Sequence, residues 1–320
     1  MRKILSLFAL IISLLNCKAQ QVTIHGIAKD TTKSRSFVMV VVNDTLRKHK
    51  GEGYSKLLNN KYHVFADSKG KYTIKAQLTD TLYFYSNKYF TQKYKVADIV
   101  KRKIDVQLEP EPCVPYVECK ERIPTNLYIF VGEKVSMQYE PEPNYCMMET
   151  LDGGMKSVYK IKENIYGQYP KDTIEFKAYD HYGRVMFGYY DTVLLFVGEY
   201  CGKLYQEKYQ FFDLYKTKDG RWASPGDPYK FDKYQENKTV AASSIEFDPF
   251  IRINTIPPYD EQYPERFQKY ETPYYRIIGD KAFPLMGAYI EDLIKVKMKG
   301  FLKQQNIVLE KEKFQDQKYK

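Results

Sequence analysis

Cysteine and histidine are the residues of this chain with the greatest capacity for chemistry, and their spacing argues against a metal site. Five residues separate Cys113 from Cys119, and gaps of 26 and 54 residues then lead to Cys146 and Cys201. No zinc-ligand pattern has this spacing. The four histidines form no HExxH or HxH pair. Phosphate-binding loops, dinucleotide-binding glycine motifs and GxSxG elbows are also missing from the sequence, so we expect no metal and no cofactor, and a binding protein in preference to an enzyme.

Two polar segments are candidates for a site. The first, Tyr179 to Gly183, contains His181 and has the composition of a turn, although an enzyme site near His181 is the alternative. The second runs from Lys216 to Trp222, where Asp219-Gly220 predicts a hairpin turn and Arg221-Trp222 begins the next strand. Because Trp and Arg often anchor interfaces, Arg221 and Trp222 are the predicted binding residues.

The N-terminus predicts export. Arg2 and Lys3 precede an apolar run that ends near Cys17, which is the pattern of a signal peptide over residues 1–19. Cleavage after Ala19 would give a product beginning at Gln20. Alternatively, Leu14 to Cys17 resembles a bacterial lipobox, in which Cys17 would be lipidated and anchor the protein to the outer membrane. Both outcomes stay open, and the protein is expected to be periplasmic, membrane-anchored or extracellular.

Charge and cysteine count fit an exported binding protein. Removing the signal leaves 47 basic and 40 acidic residues, a net charge of +7 that is spread along the chain, so no nucleic-acid partner is expected. Four cysteines then remain, which in an oxidising compartment suggests two disulfides. We expect Cys113, Cys119, Cys146 and Cys201 to pair within residues 113–224, with three connectivities possible.

Residues 21–108 alternate apolar and polar side chains in short runs, which predicts an all-β sandwich. Asp67 and Gly70 predict a tight turn, after which Tyr72 and Ile74 enter the core. With Asp80-Thr81-Leu82 and Val106-x-Leu108, this pattern resembles the carboxypeptidase regulatory-like (prealbumin-like) domain found in exported proteins of Bacteroidetes-type bacteria. The resemblance departs at a basic insertion over 46–61, and it implies a non-catalytic domain.

After a linker at 109–112, residues 113–224 predict a second β domain. The first strand is expected at Leu127–Gly132, ending in a turn. The segments "YKI…IYG", "DTIEF" and "LLFVGEYCG" follow. This order resembles the netrin/TIMP-like OB barrel. Metalloprotease inhibition, which in that family needs a cysteine at the mature N-terminus, is not implied for Cys113.

The C-terminal part is predicted to contain a Pro- and Tyr-rich arm (225–286), an amphipathic helix (287–305) and a charged tail (306–320). Ile290, Leu293 and Ile294 mark the apolar face of the helix, and Lys295 and Lys297 belong to the charged face. Docking of this helix onto the protein is expected, with attachment to a membrane as the alternative.

The sequence as a whole predicts a mainly β, exported, non-catalytic protein that binds a protein or a glycan of the cell envelope. The alternatives are a hydrolytic enzyme with a site near His181 and an inhibitor-like module. Neither the ligand nor the oligomeric state follows from the residues.

Overall fold

The computed structural model describes residues 21–30, 37–45, 62–146, 148, 150–181, 185–232, 235–236, 238–255, 270–316 and 319. The predicted signal peptide with Cys17, the basic insertion at 46–61, and Tyr182-Gly183 lie outside the described residues. The chain divides into two compact units, Met1–Val114 and Pro115–Lys320. The predicted linker at 109–112 lies just before this boundary.

The first unit is a sandwich of two small sheets. Its elements are β1 (Gln21–Lys29), β2 (Met39–Val42), β3 (His63–Phe65), β4 (Lys71–Gln77), β5 (Thr81–Tyr85), β6 (Gln92–Lys95), α1 (Val96–Arg102) and β7 (Val106–Gln107). One sheet has the order β4-β1-β7 and the other β3-β2-β5-β6. Apolar side chains of both sheets, such as Ile24 and Phe84, share one core.

The turn and the alternation predicted around Asp67 are confirmed. Asp67 Oδ1 accepts hydrogen bonds from the backbone N–H groups of Lys69 and Lys71, at 2.9 and 2.8 Å. Gly70 has φ 81°, a left-handed conformation that favours glycine. In β4 the side chains of Tyr72 and Ile74 are buried while their neighbours are exposed, as period-two alternation requires.

The second unit is built on a closed five-stranded barrel. The barrel strands are β8 (Asn126–Tyr139), β9 (Gly153–Tyr166), β10 (Thr173–Asp180), β11 (Thr192–Tyr200) and β12 (Lys203–Asp213). Around the barrel the order is β8-β9-β10-β12-β11, with only the β10–β12 pair parallel. Five strands closed into a barrel are the architecture expected of an OB-like domain.

The predicted end of the first barrel strand at Gly132 is wrong. β8 continues through Gly132 to Tyr139, and its register with β9 shifts between Val131 and Gly132. A Cβ at Gly132 would lie 2.9 Å from the Phe130 ring and 3.1 Å from the Tyr159 ring. The glycine therefore admits close packing at a bulge of the barrel instead of ending the strand.

A continuous apolar run in β11 reflects burial on both faces. Val193, Leu195 and Val197 belong to a core with Phe130 and Tyr159. The alternate residues Leu194 and Phe196 belong to a second core, which includes the C-terminal helix. A strand that is covered on both sides needs apolar residues at every position.

Within the described residues, the chain after the barrel adds two small sheets and two α-helices to the same unit. These elements are β13 (Tyr215–Lys216), β14 (Trp222–Pro225), β15 (Ser243–Ser244), β16 (Ile253–Asn254), β17 (Tyr275–Ile278), β18 (Lys281–Pro284), β19 (Met286–Tyr289), α2 (Ile290–Lys299) and α3 (Phe301–Gln304). The sheets have the orders β13-β14-β19-β15 and β16-β18-β17. The region predicted as an arm thus contributes strands as well as loops.

The predicted C-terminal helix is confirmed from Ile290 to Gln304 with a break at Gly300, whereas residues 287–289 of the predicted span belong to β19. The apolar face of the helix packs on the protein. Leu293 and Ile294 are buried in the core that contains Phe196. The assignment of Lys297 to the charged face is wrong, because its side chain is 0% exposed and its Nζ forms an ion pair with Asp232 at 2.5 Å. Lys297 can be buried because Asp232, from another segment of the chain, pairs with its charge.

None of the helices in the described part of the chain has the length and apolar character that crossing a bilayer requires.

Candidate functional site

The predicted binding residue Trp222 lies on a hairpin whose geometry the sequence indicates. β13 and β14 pair antiparallel, with Lys216 opposite Trp222. The turn between them has Gly220 at φ 83°, and Thr217 Oγ1 donates a hydrogen bond to Asp219 Oδ1. Lys216 Nζ lies 3.9 Å from the centre of the Trp222 ring, which is a cation–π contact.

Arg221 and Trp222 do not form one contact site. The Arg221 guanidinium lies 3.6 Å from the centre of the Tyr289 ring and pairs with Glu291 at the start of α2. Trp222 instead lines a cavity. The structure thus separates the two predicted binding residues, because consecutive residues on an extended chain point to opposite sides.

The cavity has a volume of about 480 Å³, within the range of small-molecule sites. Five aromatic side chains line it: Tyr189, Tyr190, Tyr215, Trp222 and Tyr270. Tyr189 and Tyr190 come from the 3-10 helix Met186–Tyr189 and the residue after it, and Tyr215 and Trp222 come from the β13–β14 hairpin. Tyr270 precedes β17. Aromatic rings that carry hydroxyl or N–H groups provide both apolar surface and hydrogen bonds to a ligand.

A buried ion pair lies close to the tyrosines of the cavity. Asp213 is 1% exposed and pairs with Lys230, which is 8% exposed. Asp213 Oδ1 also accepts a hydrogen bond from Ser224 Oγ at 3.0 Å. Burial lowers the pKa of Lys230, and the Asp213 carboxylate acts against that shift. The charge of Asp213 is therefore matched by a cation inside the protein.

Three tyrosines of the cavity are held as neutral hydrogen-bonding groups at physiological pH. Burial raises the pKa of Tyr190, Tyr215 and Tyr270, and the negative charge of Asp213 raises it further. A neutral phenol both donates and accepts a hydrogen bond, which suits a ligand with hydroxyl groups.

His181, the alternative catalytic residue, belongs to a half-exposed ion-pair cluster. Its Nδ1 lies 3.5 Å from Asp152 Oδ1, and Lys208 Nζ lies 2.6 Å from the other oxygen of the same carboxylate. The cluster joins the segment before β9 to β12 and to the end of β10. Through these contacts His181 takes part in linking three segments of the barrel.

A Ser-x-x-Lys spacing at Ser157 and Lys160, a pattern known from some serine enzymes, has no catalytic geometry. Both residues lie in β9, where positions three apart face opposite sides. Ser157 is fully buried and Lys160 is exposed. The hydroxyl and the amine are therefore not a nucleophile and its base.

All four cysteines of the second predicted domain are disulfide-bonded, which confirms two disulfides. Cys119 and Cys201 form one of them, with a Cα–Cα distance of 6.0 Å. Their sulfurs also lie near Glu121, but sulfurs bonded to each other are not thiolate ligands. Glu121 instead accepts a hydrogen bond from the Cys201 N–H at 2.7 Å. Disulfides are typical of an oxidising, exported environment.

A second polar cluster, on the β9–β10 side of the barrel, is not indicated by any local pattern in the sequence. Glu142 accepts hydrogen bonds from Lys177 Nζ at 2.8 Å and Tyr179 Oη at 2.7 Å. Burial acts to raise the pKa of Glu142, but these hydrogen bonds outweigh it and hold the pKa below its ordinary value. Glu142, Lys177 and Tyr179 thus bind one another, so this cluster is a weaker candidate for a ligand site than the cavity.

Comparison with family models, curated proteins and solved structures finds no match for this chain.

Proposed function

We propose that this chain is an exported, non-catalytic binding protein of the bacterial cell envelope, and that it holds a saccharide unit in the cavity beside Trp222. The observation that carries the proposal is the lining of five aromatic side chains, all with a polar group, around about 480 Å³. The C–H faces of a sugar ring pack on aromatic rings, and its hydroxyls exchange hydrogen bonds with phenols.

The rest of the chain supports this role. The basic and apolar start of the sequence fits a signal peptide, and two disulfides fit an oxidising compartment. Under this proposal the first unit is a prealbumin-like domain that carries the binding unit and has no activity of its own. Mass spectrometry of the native N-terminus distinguishes a soluble product beginning at Gln20 from a chain lipidated on Cys17.

A glycan array with the full mature chain tests the proposal, with two variants of neighbouring residues as a matched pair. Trp222→Ala removes an aromatic wall of the cavity and is expected to abolish binding. Arg221→Ala changes the adjacent residue, whose side chain contacts Tyr289 and Glu291, and is expected to keep it. Equal binding by wild type and Trp222→Ala, or no glycan bound by the wild type, would overturn the proposal.

A protein partner is the remaining alternative that the array separates. A protein that docked on the hairpin from outside would contact Arg221 as readily as Trp222. In that case Arg221→Ala would weaken capture of the partner, while free saccharides would leave the capture unchanged.

A further inference from the structure

Strand β1 of the first unit has one paired edge and one open edge. On one side it pairs with β4 over residues 21–27, and on the other side β7 pairs only with Ala28 and Lys29. The Ala28 N–H donates to the Gly70 carbonyl beside β4 at 2.8 Å, whereas the Lys29 carbonyl accepts from Leu108 on the β7 side at 2.8 Å. Because the backbone groups of consecutive strand residues point to opposite edges, those of the odd-numbered residues point to the β7 side.

This open edge presents main-chain groups that no other strand uses. On the β7 side, the N–H and C=O groups of Thr23 and His25 have no hydrogen-bond partner among the described residues. Both side chains are exposed, while Ile24 between them is 3% exposed and belongs to the core. The strand is thus fixed by β4 and by its core contacts, and its open edge has the form that a further strand requires.

The open edge also lacks the features that prevent strands from associating. No Asp, Glu, Lys or Arg occurs over residues 21–28. The outer strands β4 and β6 carry exposed lysines, namely Lys71, Lys75, Lys93 and Lys95. Strands β3 and β7 are only three and two residues long. Because lysines and short edge strands discourage pairing with other chains, β1 is the least protected edge among the described strands of this unit.

We infer that β1 is a dimerisation strand, through which two copies of this chain pair antiparallel about a two-fold axis at Ile24. In this register Thr23 of one copy faces His25 of the other, and the facing residues exchange N–H···O=C hydrogen bonds. Ile24 lies opposite its own copy on the core side of the sheet, where two apolar side chains stabilise a strand pair. The inference does not rest on the proposed function.

A second copy is the expected occupant because this strand is complementary to itself. Pairing about Ile24 keeps every facing residue within the open stretch 21–27 and brings no like charges together. It uses the open edge of both copies, so association ends at a dimer. A single strand pair buries less than the roughly 800 Å² per partner of a standard interface, which predicts a reversible dimer with a micromolar Kd.

Sedimentation equilibrium of the full mature chain, without an N-terminal tag, tests the association over about 1–500 µM. We expect a monomer–dimer equilibrium with a Kd of about 10–100 µM. Amide hydrogen exchange at low and at high concentration locates the interface. The amides of Thr23 and His25 should exchange several-fold more slowly at high concentration, whereas those of Val22 and Ile24, which point to β4, should change least.

Two double variants that differ only at position 25 test the register. Thr23→Lys/His25→Lys places like charges opposite each other in both facing pairs and should weaken dimerisation roughly tenfold. Thr23→Lys/His25→Glu places opposite charges there and should keep the Kd within about threefold of the wild type. Thr73→Lys is the control, because Thr73 is the exposed partner of His25 on β4 and lies away from the open edge. It should leave the Kd unchanged.

A chain that stays monomeric at every concentration would overturn the inference. Equal association of the two double variants, or unchanged exchange at Thr23 and His25 in a dimer, would also overturn it, because the interface would then lie elsewhere. Assemblies larger than a dimer that grow with concentration would contradict the two-fold pairing. Sedimentation and exchange use the wild type, so they decide the question even if a variant fails to fold.

Discussion

Replacing Lys230 with Met should strongly destabilise the second unit, because it leaves the Asp213 carboxylate buried without its cation. Asp213 is 1% exposed, and its Oδ2 atom has no hydrogen-bond partner within the described ranges. Of the contacts described above, only the hydrogen bond from Ser224 Oγ to Oδ1 would remain. A carboxylate in that setting either takes up a proton or favours the unfolded chain.

The expected cost is about 3–5 kcal/mol of the free energy of unfolding, the usual effect of removing one partner of a buried ion pair. The double variant Asp213→Leu/Lys230→Met removes both charges and leaves the Ser224 hydroxyl without its acceptor, at a cost of about 1 kcal/mol. The double variant should therefore be about 2–4 kcal/mol more stable than Lys230→Met alone.

Urea unfolding followed by Trp222 fluorescence reports on this unit, because the chain has one tryptophan. With a slope of about 2–3 kcal/mol per M, the single variant should lower the midpoint by roughly 1–2 M. In that variant the folded state favours the protonated carboxyl, so its deficit should shrink as the pH is lowered from 8 towards 5. A loss below about 1 kcal/mol, or a double variant no better than the single one, would contradict the reasoning.

Three further predictions concern Tyr72, the Cys119–Cys201 disulfide and His181. Burial raises the pKa of Tyr72 to about 12, and its hydroxyl has no hydrogen-bond partner in the described part of the chain. Tyr72→Phe should therefore stabilise the first unit by roughly 1–2 kcal/mol at pH 8. It should also remove a loss of about 2–3 kcal/mol between pH 10 and 12, where only the unfolded phenol ionises. Urea unfolding followed by circular dichroism, at pH 8 and at pH 12, measures both effects. A variant less stable than the wild type would refute them. Cys119→Ser/Cys201→Ser opens a loop with a sequence separation of 82 and should cost about 4–5 kcal/mol in urea unfolding. Four free thiols in denatured, unreduced native protein would contradict both disulfides. His181→Ala should lower the free energy of unfolding by at most about 1 kcal/mol and leave saccharide binding unchanged. If the wild type turns over a substrate and the folded variant does so a hundredfold more slowly, the protein is an enzyme.

Local signals carry much of the fold. The turn at Asp67 follows from side-chain hydrogen bonding within four residues, and the alternation that buries Tyr72 follows from strand geometry. Asp219-Gly220 likewise marks the hairpin that places Trp222. Periodicity predicts helix α2 because its apolar residues recur at the spacing of one helical face.

The remaining features depend on residues far apart in the sequence. Lys297 fits the charged face of a helix until Asp232, 65 residues earlier, supplies its partner. In the sequence Gly132 is typical of a turn. In the structure it lies at a bulge, where the Tyr159 ring of the next strand packs close to it. The cavity brings together six separate stretches between 134 and 270, so no local pattern predicts its shape.

The most direct test of the saccharide site is a titration of Trp222 emission in the full mature chain. The saccharides that the glycan array identifies are added one at a time. Because the only tryptophan lines the cavity, a ligand bound there must change its emission saturably, with the Kd that calorimetry gives. Our account predicts this change for each saccharide that binds the wild type, and no binding to Trp222→Ala. A sugar that binds by calorimetry and leaves the emission of Trp222 unchanged would contradict it.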